Sequence, residues 1–368
     1  MTAASRTDIA VYIGRFQPLH NGHLALLRQA LDLAAHVAVV IGSAHQARTP
    51  KNPFTWQERA DIIRLALPEA DRARVHFLPI RDYYDEARWV EAVRADVAGL
   101  GTRLGLAAKP AVSLVGHFKD ATSGYLGRFP GWTLHAVERS DPVDAVHIRD
   151  ALFGAAGTAA ASGKVHGTGT AGFSLEPALA ALRPVAPAST LDFLRAWAAL
   201  PYYPALAREW QMLRTYKQAW SAAPYPPVFV TVDSIVRCAG RVLLIKRGQP
   251  PGVGLYAVPG GFIEQRETAY QSALRELREE TTLGLLEASM QASLKGQAVF
   301  DHPDRSQRGR TISHAFYFDL GDRPLPDVQA DDDAQLAQWV PISDLSGMED
   351  RFHDDHFHML DHFLGITR

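Results

Sequence analysis

Two spaced runs of glycine and charged residues, about 240 residues apart, constrain this chain more than anything else in it. The first, Gly14-Arg15-Phe16-Gln17-Pro18-Leu19-His20-Asn21-Gly22-His23, joins an apolar run at 9–13 to a helical pattern. The second spreads Gly261, Glu267, Glu276, Glu279 and Glu280 across residues 261–283. Each run needs its own frame of strand, loop and helix, and neither needs the other to fold. A length of 368 residues agrees, because one domain typically takes roughly 100–200.

The remaining composition narrows the setting. A net charge of -2 creates no whole-molecule attraction to nucleic acid or an anionic membrane, so any phosphate binding must be local. The single Cys238 excludes an internal disulfide framework and suits a reducing compartment. No stretch reaches the roughly 18 apolar residues of a membrane span, and residues 1–6 lead into a strand-like run without a signal-peptide apolar region. A cytoplasmic protein is expected, with neither nucleic acid nor membrane as partner. A homo-oligomer is compatible with the composition.

Residues 9–13, 37–41 and 111–115 read as continuous apolar strands, while Leu24, Leu27, Ala30, Leu31 and Ala34 recur at helical spacing. Apolar strands separated by helices predict a parallel sheet covered on both faces, a Rossmann-like α/β layout with ligands beyond the carboxyl ends of the strands. Residues 154–188 are rich in Gly and Ala and read as a flexible loop or insertion followed by a short helix, without chemistry. Residues 190–220 are helical and aromatic, a pair of interdomain helices packing Phe193, Trp197, Trp210, Tyr216 and Trp220. Pro224-Tyr225-Pro226-Pro227 then stops the helix. Strands at 228–232, 234–237, 242–246 and 311–320 with a charged helix at 271–280 predict a second, α+β domain. The expected boundaries are 1–185, a helical linker at 186–226, and 227–368.

His20 and His23 stand at i and i+3 where the first helix should begin. A helix N-terminus offers free N–H groups and partial positive charge, so two imidazoles there can face one anion. Gly14 lets the turn come close to a ligand, and Gly22 removes a Cβ between the rings. The whole run resembles the HxGH nucleotidyltransferases, and most closely the nicotinamide mononucleotide (NMN) adenylyltransferases of the bacterial and archaeal type. Ile41-Gly42-Ser43-Ala44, Asn52-Pro53-Phe54-Thr55, Glu58-Arg59, Pro79-Ile80-Arg81-Asp82, Trp89-Val90 and Gly116-His117-Phe118-Lys119-Asp120 are similar to further blocks of that family. The resemblance implies that Gly14, Arg15, His20 and His23 bind ATP phosphates, that Phe16, Arg59, Asp82, Gly116 and Lys119 belong to the nucleotide site, and that Trp89 stacks on nicotinamide. The implied reaction is in-line attack of the NMN phosphate on the α-phosphorus of ATP, with Mg²⁺ assisting, to give NAD and pyrophosphate.

The family's late Ile-Ser-x-Thr-x-x-Arg motif is altered here. Residues 143–149 keep Arg149, expected to be catalytic, but carry Asp144 for the serine and Val146 for the threonine. A carboxylate near phosphates and a lost hydroxyl together oppose binding by on the order of a few kcal/mol. A catalytically impaired nucleotide-binding module, or a transferase for another phosphorylated acceptor, are the alternatives for this domain.

In the second run, Glu276, Glu279 and Glu280 lie at i, i+3 and i+4, on one helical face. Gly261, Glu267, Arg275-Glu276-Leu277-Arg278-Glu279-Glu280 and Leu283 together resemble the Nudix box. The resemblance implies a Mg²⁺ or Mn²⁺ site from Glu276, Glu279, Glu280 and Gly261, oriented by Arg275, with Glu279 or a loop acid as base. Thr282 replaces the box's later glycine and adds about 1 kcal/mol of strain if its φ is positive. The stretches 225–233, 300–306 and 309–311 are similar to bifunctional NMN adenylyltransferase/Nudix proteins, which implies ADP-ribose as substrate, with AMP and ribose 5-phosphate as products. Asp304 and Arg308 individually read as surface loop.

Overall fold

The computed structural model describes residues 6–117, 121–137, 144–161 and 175–367. Lys119 and the Gly-rich run at 163–172 lie outside them. The chain divides into two compact units, Met1–Arg208 and Glu209–Arg368.

The first unit runs β1 (Thr7–Gly14), α1 (Asn21–Leu33), β2 (Ala34–Ile41), α2 (Trp56–Ala66), a one-turn α3 (Glu69–Arg72), β3 (Val75–Pro79), α4 (Glu86–Arg103), β4 (Val112–Gly116), β5 (Thr133–Ala136), α5 (Ala145–Ala161), α6 (Glu176–Leu182) and α7 (Ala188–Trp197). All five strands pair in parallel, in the order β3-β2-β1-β4-β5. Alternate residues of the central strands serve opposite faces. Ala10, Tyr12, Val37 and Val39 pack towards α1 and α2, while Ile9, Val11, Ala38 and Val40 pack towards α4. Burial on both faces is why these strands read as unbroken apolar runs. Thr55 starts α2 with a capping box to Glu58, which fixes where the chain re-enters helix after β2.

Three features depart from the expectation. β3 and β5 are strands that no apolar run announced, since each has at most five residues and β5 is half exposed at the sheet edge. Residues 154–161 continue α5 rather than forming a loop, because alanine is the strongest helix former and outweighs Gly154 and Gly157. The short helix that follows is α6. Trp197 at the end of α7 is 1% exposed among Phe54, Phe153, Tyr202 and Tyr203.

The boundary between the units falls inside α8 (Tyr203–Ala219). The second unit continues with β6 (Val228–Cys238), β7 (Arg241–Arg247), β8 (Tyr256–Ala257), β9 (Gly260–Phe262), α9 (Ala269–Thr281), α10 (Glu287–Ser293), β10 (Leu294–Phe300), β11 (Arg310–Asp319), β12 (Ala334–Pro341) and α11 (His356–Leu364). Its mixed sheet has the order β10-β11-β6-β7-β12, with β8 on β7 and β9 on β6. Among the pairings of these named strands, β6 with β11 is parallel and the rest are antiparallel. The two strands expected at 228–232 and 234–237 are one, because the buried Asp233 between them interrupts the pattern without interrupting the backbone. Leu274 and Leu277 of α9 cover one face of the sheet with Val232 and Val236. Phe357 and Leu360 of α11 cover the other with Ile235 and Leu244. Among the described residues, no helix is long and apolar enough to cross a membrane.

Candidate active sites

In the first unit most of the residues singled out by sequence lie at or after the carboxyl ends of β1, β2, β3 and β4, with Asp144, Val146 and Arg149 at the start of α5. The turn after β1 is held by its own packing and hydrogen bonds. Phe16 sits at φ 51°, a left-handed backbone, with its ring 1% exposed and edge-on to Tyr12 and His23. A Cβ on Gly14 would lie 2.8 Å from that ring, so the glycine makes room for Phe16. Gln17 exchanges two hydrogen bonds with the backbone of Phe54, at 2.9 and 3.0 Å.

Arg59 is 1% exposed and donates to the carbonyls of Thr55, Arg15, Gly42 and Ser43, at 2.7–3.2 Å. Its guanidinium therefore ties the ends of β1 and β2 together, and burial lowers its pKa to about 10. Arg149 on α5 donates at 2.6 Å to the Gln17 carbonyl, with its pKa likewise lowered to about 10 by burial. Both arginines shape the turn; the exposed guanidinium on it is that of Arg15.

His20 caps α1, its Nδ1 accepting the His23 N–H at 3.4 Å, and the two rings stack with centroids 3.7 Å apart. His23 Nδ1 is buried without a hydrogen-bond partner. Burial, then His20 and His117, hold His23 well below the usual imidazole range, while Asp144 opposes that shift. The neutral ring thus keeps one sealed polar atom, which costs folding free energy. Asp144 accepts the Val146 N–H at 3.2 Å at the start of α5, and Val146 is 46% exposed. Trp89 on α4 stands edge-on to Tyr125 and Phe129, at 5.4 and 6.0 Å. Asp82 is near enough to Arg59 to favour its charge. A Cβ on Gly116 would come within 2.7 Å of Leu126, again a packing reason for glycine.

In the second unit, a capping box between Thr268 and Gln271 starts α9 and sets the phase of its carboxylates. The Glu276 carboxyl lies where a Gly261 Cβ would be, 2.5 Å from that position. Glu280, 4% exposed, accepts the Gly260 N–H at 2.9 Å. Burial, with help from Glu276 and Asp233, pushes its pKa up to about 8. Glu279 points outward. Arg275 gathers the set, bonding Glu267, Glu276 and Glu279 at 2.8–3.0 Å and the Phe262 carbonyl at 3.2 Å. Glu267 also accepts from Ser272 at 2.7 Å, and these partners lower its pKa. Thr282 ends α9 at φ 52°, the strained cap its position implied, and its hydroxyl accepts the Gln329 N–H at 3.2 Å.

The donor set fits a hard divalent cation: oxygen atoms only, from three carboxylates and the Gly261 backbone, with burial disfavouring the charged form of Glu276 and Glu280. Among the described residues, no three acidic or histidine side chains yet converge on one point. Arg275 supplies the positive charge instead, so a bound ion would have to draw the carboxylates inward.

A cleft beside Gly260 and Gly261 gathers residues that the sequence placed only within longer stretches, such as Asp233 and Arg305, with others it did not single out. Arg305 and Asp355 form a buried two-point ion pair at 2.8 Å. Asp233, pushed up to about 6 by burial, accepts from Ser313. His356 Nδ1 accepts the Val258 N–H at 3.2 Å and lies 3.8 Å from Asp233. His353, Asp354 and Arg247 complete the lining. The signal was present in His353-Asp354-Asp355-His356, four ionisable residues between Phe352 and Phe357. Arg308 also lines this cleft, whereas Asp304 stays exposed on the loop.

Comparison with known proteins covers both units. Residues 11–121 match the Cytidylyltransferase-like family model and residues 227–363 the NUDIX domain model. The nicotinamide/nicotinic acid mononucleotide adenylyltransferase of Acinetobacter baylyi is 38% identical over 147 residues, 40% of this chain and 76% of that protein. The ADP-ribose pyrophosphatase of Methanocaldococcus jannaschii is 40% identical over 116 residues, 32% of this chain and 63% of that protein. The crystal structure of a bifunctional NMN adenylyltransferase/ADP ribose pyrophosphatase from Francisella tularensis superposes with a TM-score of 0.83 at 33% identity, covering 98% of this chain and 99% of that one. A second structure from the same organism, complexed with AMP and a Mn ion, gives 0.82 at 31% identity.

Proposed function

We propose a function from one premise: this chain belongs to the family of bifunctional NMN adenylyltransferase/ADP-ribose pyrophosphatases. The first unit transfers AMP from ATP to NMN, giving NAD and pyrophosphate. The second hydrolyses ADP-ribose to AMP and ribose 5-phosphate. The observation that carries this reading is the pairing, in one chain, of the stacked His20/His23 turn with the Gly261/Glu276/Glu280 cluster.

In the first unit the chemistry is positioning and charge neutralisation. Arg59 and Arg149 hold the carbonyls of the turn, so that His20, His23 and Arg15 meet the phosphates in a fixed geometry. The neutral His23 ring would donate to a phosphate oxygen. Trp89 would receive the nicotinamide ring. Asp144 works against phosphate binding, with Arg149 as its nearby counterweight.

In the second unit Glu276, Glu279 and Glu280, with the Gly261 backbone, would hold Mg²⁺ or Mn²⁺. When bound, the ion supplies charge neutralisation at the diphosphate and a more acidic water. The chain's own part is orientation: Arg275 aligns the glutamates, and Gly261 leaves space for Glu276. A cytoplasmic setting, small nucleotides as the partners, and neither nucleic acid nor membrane complete the proposal.

The test is chromatography of products from protein mixed with Mg²⁺, ATP and NMN, and separately with Mg²⁺ and ADP-ribose. NAD in the first and AMP in the second are expected. Protein that hydrolyses ADP-ribose but forms no NAD would make the first unit a nucleotide-binding module, the second reading that Asp144 and Val146 favour. Absence of AMP would remove the hydrolase.

A further inference from the structure

Two histidines at the amino end of the parallel sheet take no part in either reaction. His36 stands near the start of β2 and His76 near the start of β3. By strand alternation they share the face of Ala38, Val40 and Leu78, which α4 covers. The register sets Ala38 beside His76, so the two imidazoles meet on the diagonal. His76 Nε2 and His36 Nδ1 are 3.3 Å apart, with ring centres at 5.3 Å and planes tilted by 52°. From His36 to Ile41 the strand rises by about 16 Å, so the pair is remote from the turn that carries His20 and His23.

The spacing suits a chelate better than a hydrogen bond. Two neutral rings make a single N–H···N contact, and 3.3 Å exceeds the roughly 2.7–3.2 Å usual for an N–H donor. Two nitrogens each about 2.0–2.1 Å from a tetrahedral ion stand about 3.3–3.4 Å apart, which matches the separation here. Both rings are half-buried rather than sealed, so they can turn their lone pairs towards one ion that water also reaches. Burial, then His36 and Arg103, hold the His76 pKa below the usual imidazole value, which keeps that ring neutral and able to ligate. Arg103 lies on α4, where Asp96 is near enough to feel its charge. Among the described residues no third acidic, histidine or cysteine side chain joins the pair, so water completes the coordination.

We propose that His36 and His76 form a binding site for Zn²⁺ or a similar divalent transition metal, separate from the carboxylate cluster of the second unit. Imidazole nitrogens favour such ions over Mg²⁺, which takes oxygen ligands. β3 is the edge strand of its sheet and β2 is its neighbour, so the bound ion ties the edge to the sheet. The carboxyl end of β3 leads into Ile80-Arg81-Asp82, and the ion therefore steadies the strand on which that segment is mounted.

The experiment titrates Zn²⁺ into the full chain by calorimetry, with excess Mg²⁺ present to occupy the carboxylate cluster. It compares the wild type with His36→Gln, His76→Gln and Arg103→Gln. Zn²⁺ bound elsewhere, as at His20 and His23, is common to all four proteins and cancels. The wild type should bind one Zn²⁺ per chain that each histidine variant binds at least about tenfold more weakly. Arg103→Gln keeps both ligands and removes a like charge, so it should tighten that site by about threefold. Saturating Zn²⁺ should also raise the unfolding midpoint of the wild type more than that of either histidine variant. Identical Zn²⁺ isotherms in the wild type and both histidine variants, or a loss in one variant alone, would overturn the site and leave the contact a hydrogen bond. Should a histidine variant fail to fold, Arg103→Gln decides: unchanged or weaker Zn²⁺ binding there overturns the site as well.

Discussion

Replacing Gly261 by alanine separates catalysis from folding in the second unit. The new Cβ would stand 2.5 Å from Cδ and Oε1 of Glu276 and 2.6 Å from Oε2, whereas ordinary contact begins at 3.4 Å. The carboxyl must therefore retreat by about 1 Å (3.4 less 2.5). It can do so, because it ends a flexible side chain and Gly261 does not occupy the left-handed backbone region. The fold should survive with a loss of about 1 kcal/mol or less. The site should not, because Glu276 leaves its 2.9 Å bond to Arg275 and its place beside Glu280. A displacement of about 1 Å at a reacting centre costs on the order of a hundredfold in rate. We expect kcat for Mg²⁺-dependent ADP-ribose hydrolysis to fall by about that factor, with NAD formation by the same preparation unchanged. Gly260→Ala is the contrast, since its Cβ would lie 2.2 Å from the Val232 carbonyl and 2.9 Å from Asp233 Cα, neither of which can swing away. That variant should lose about 1–3 kcal/mol of stability in thermal or denaturant unfolding. Hydrolysis by Gly261→Ala within threefold of the wild type, or its loss only through unfolding, would refute the assignment of this space to Glu276.

Two further outcomes follow from the first unit. Because His23 is held neutral by burial and by His20 and His117, the unfolded chain binds a proton below about pH 6.5 that the folded chain refuses. Stability is thus fully present above that pH and falls as pH drops below it, by up to about 1.4 kcal/mol per pH unit; His23→Asn should flatten this slope in denaturant unfolding from pH 7 to 5, and an identical slope would count against it. Asp144→Ser keeps an acceptor for the Val146 N–H and removes one negative charge near the phosphates, so KM for ATP should fall by roughly fivefold, on the order of 1 kcal/mol; an unchanged or higher KM would show that Asp144 does not face the triphosphate.

Much of the frame was legible because it depends on local periodicity. Residues 9–13 and 37–41 announce buried parallel strands since both their faces are covered, and Glu276, Glu279 and Glu280 share a face by helix geometry alone. Short or half-exposed strands such as β3 and β5 carry no such pattern. Individual roles were less legible. Arg59, expected at the nucleotide, is bonded to four carbonyls, and Phe16, expected likewise, is a buried ring whose space Gly14 provides. Such assignments depend on which neighbours arrive from elsewhere in the chain.

The sequence by itself determined two frames, each with its strand-to-helix turn or loop-to-helix acid cluster, because spacing of 2 and 3.6 residues is a property of the backbone. Only the tertiary structure decided what faces those frames. Asp233 on β6 meets His356 on α11 across more than a hundred residues of chain, and Arg305 finds Asp355 across 50. Burial of these charges, and with it the pKa of Asp233 and Glu280, exists only once the sheet has closed the cleft over them.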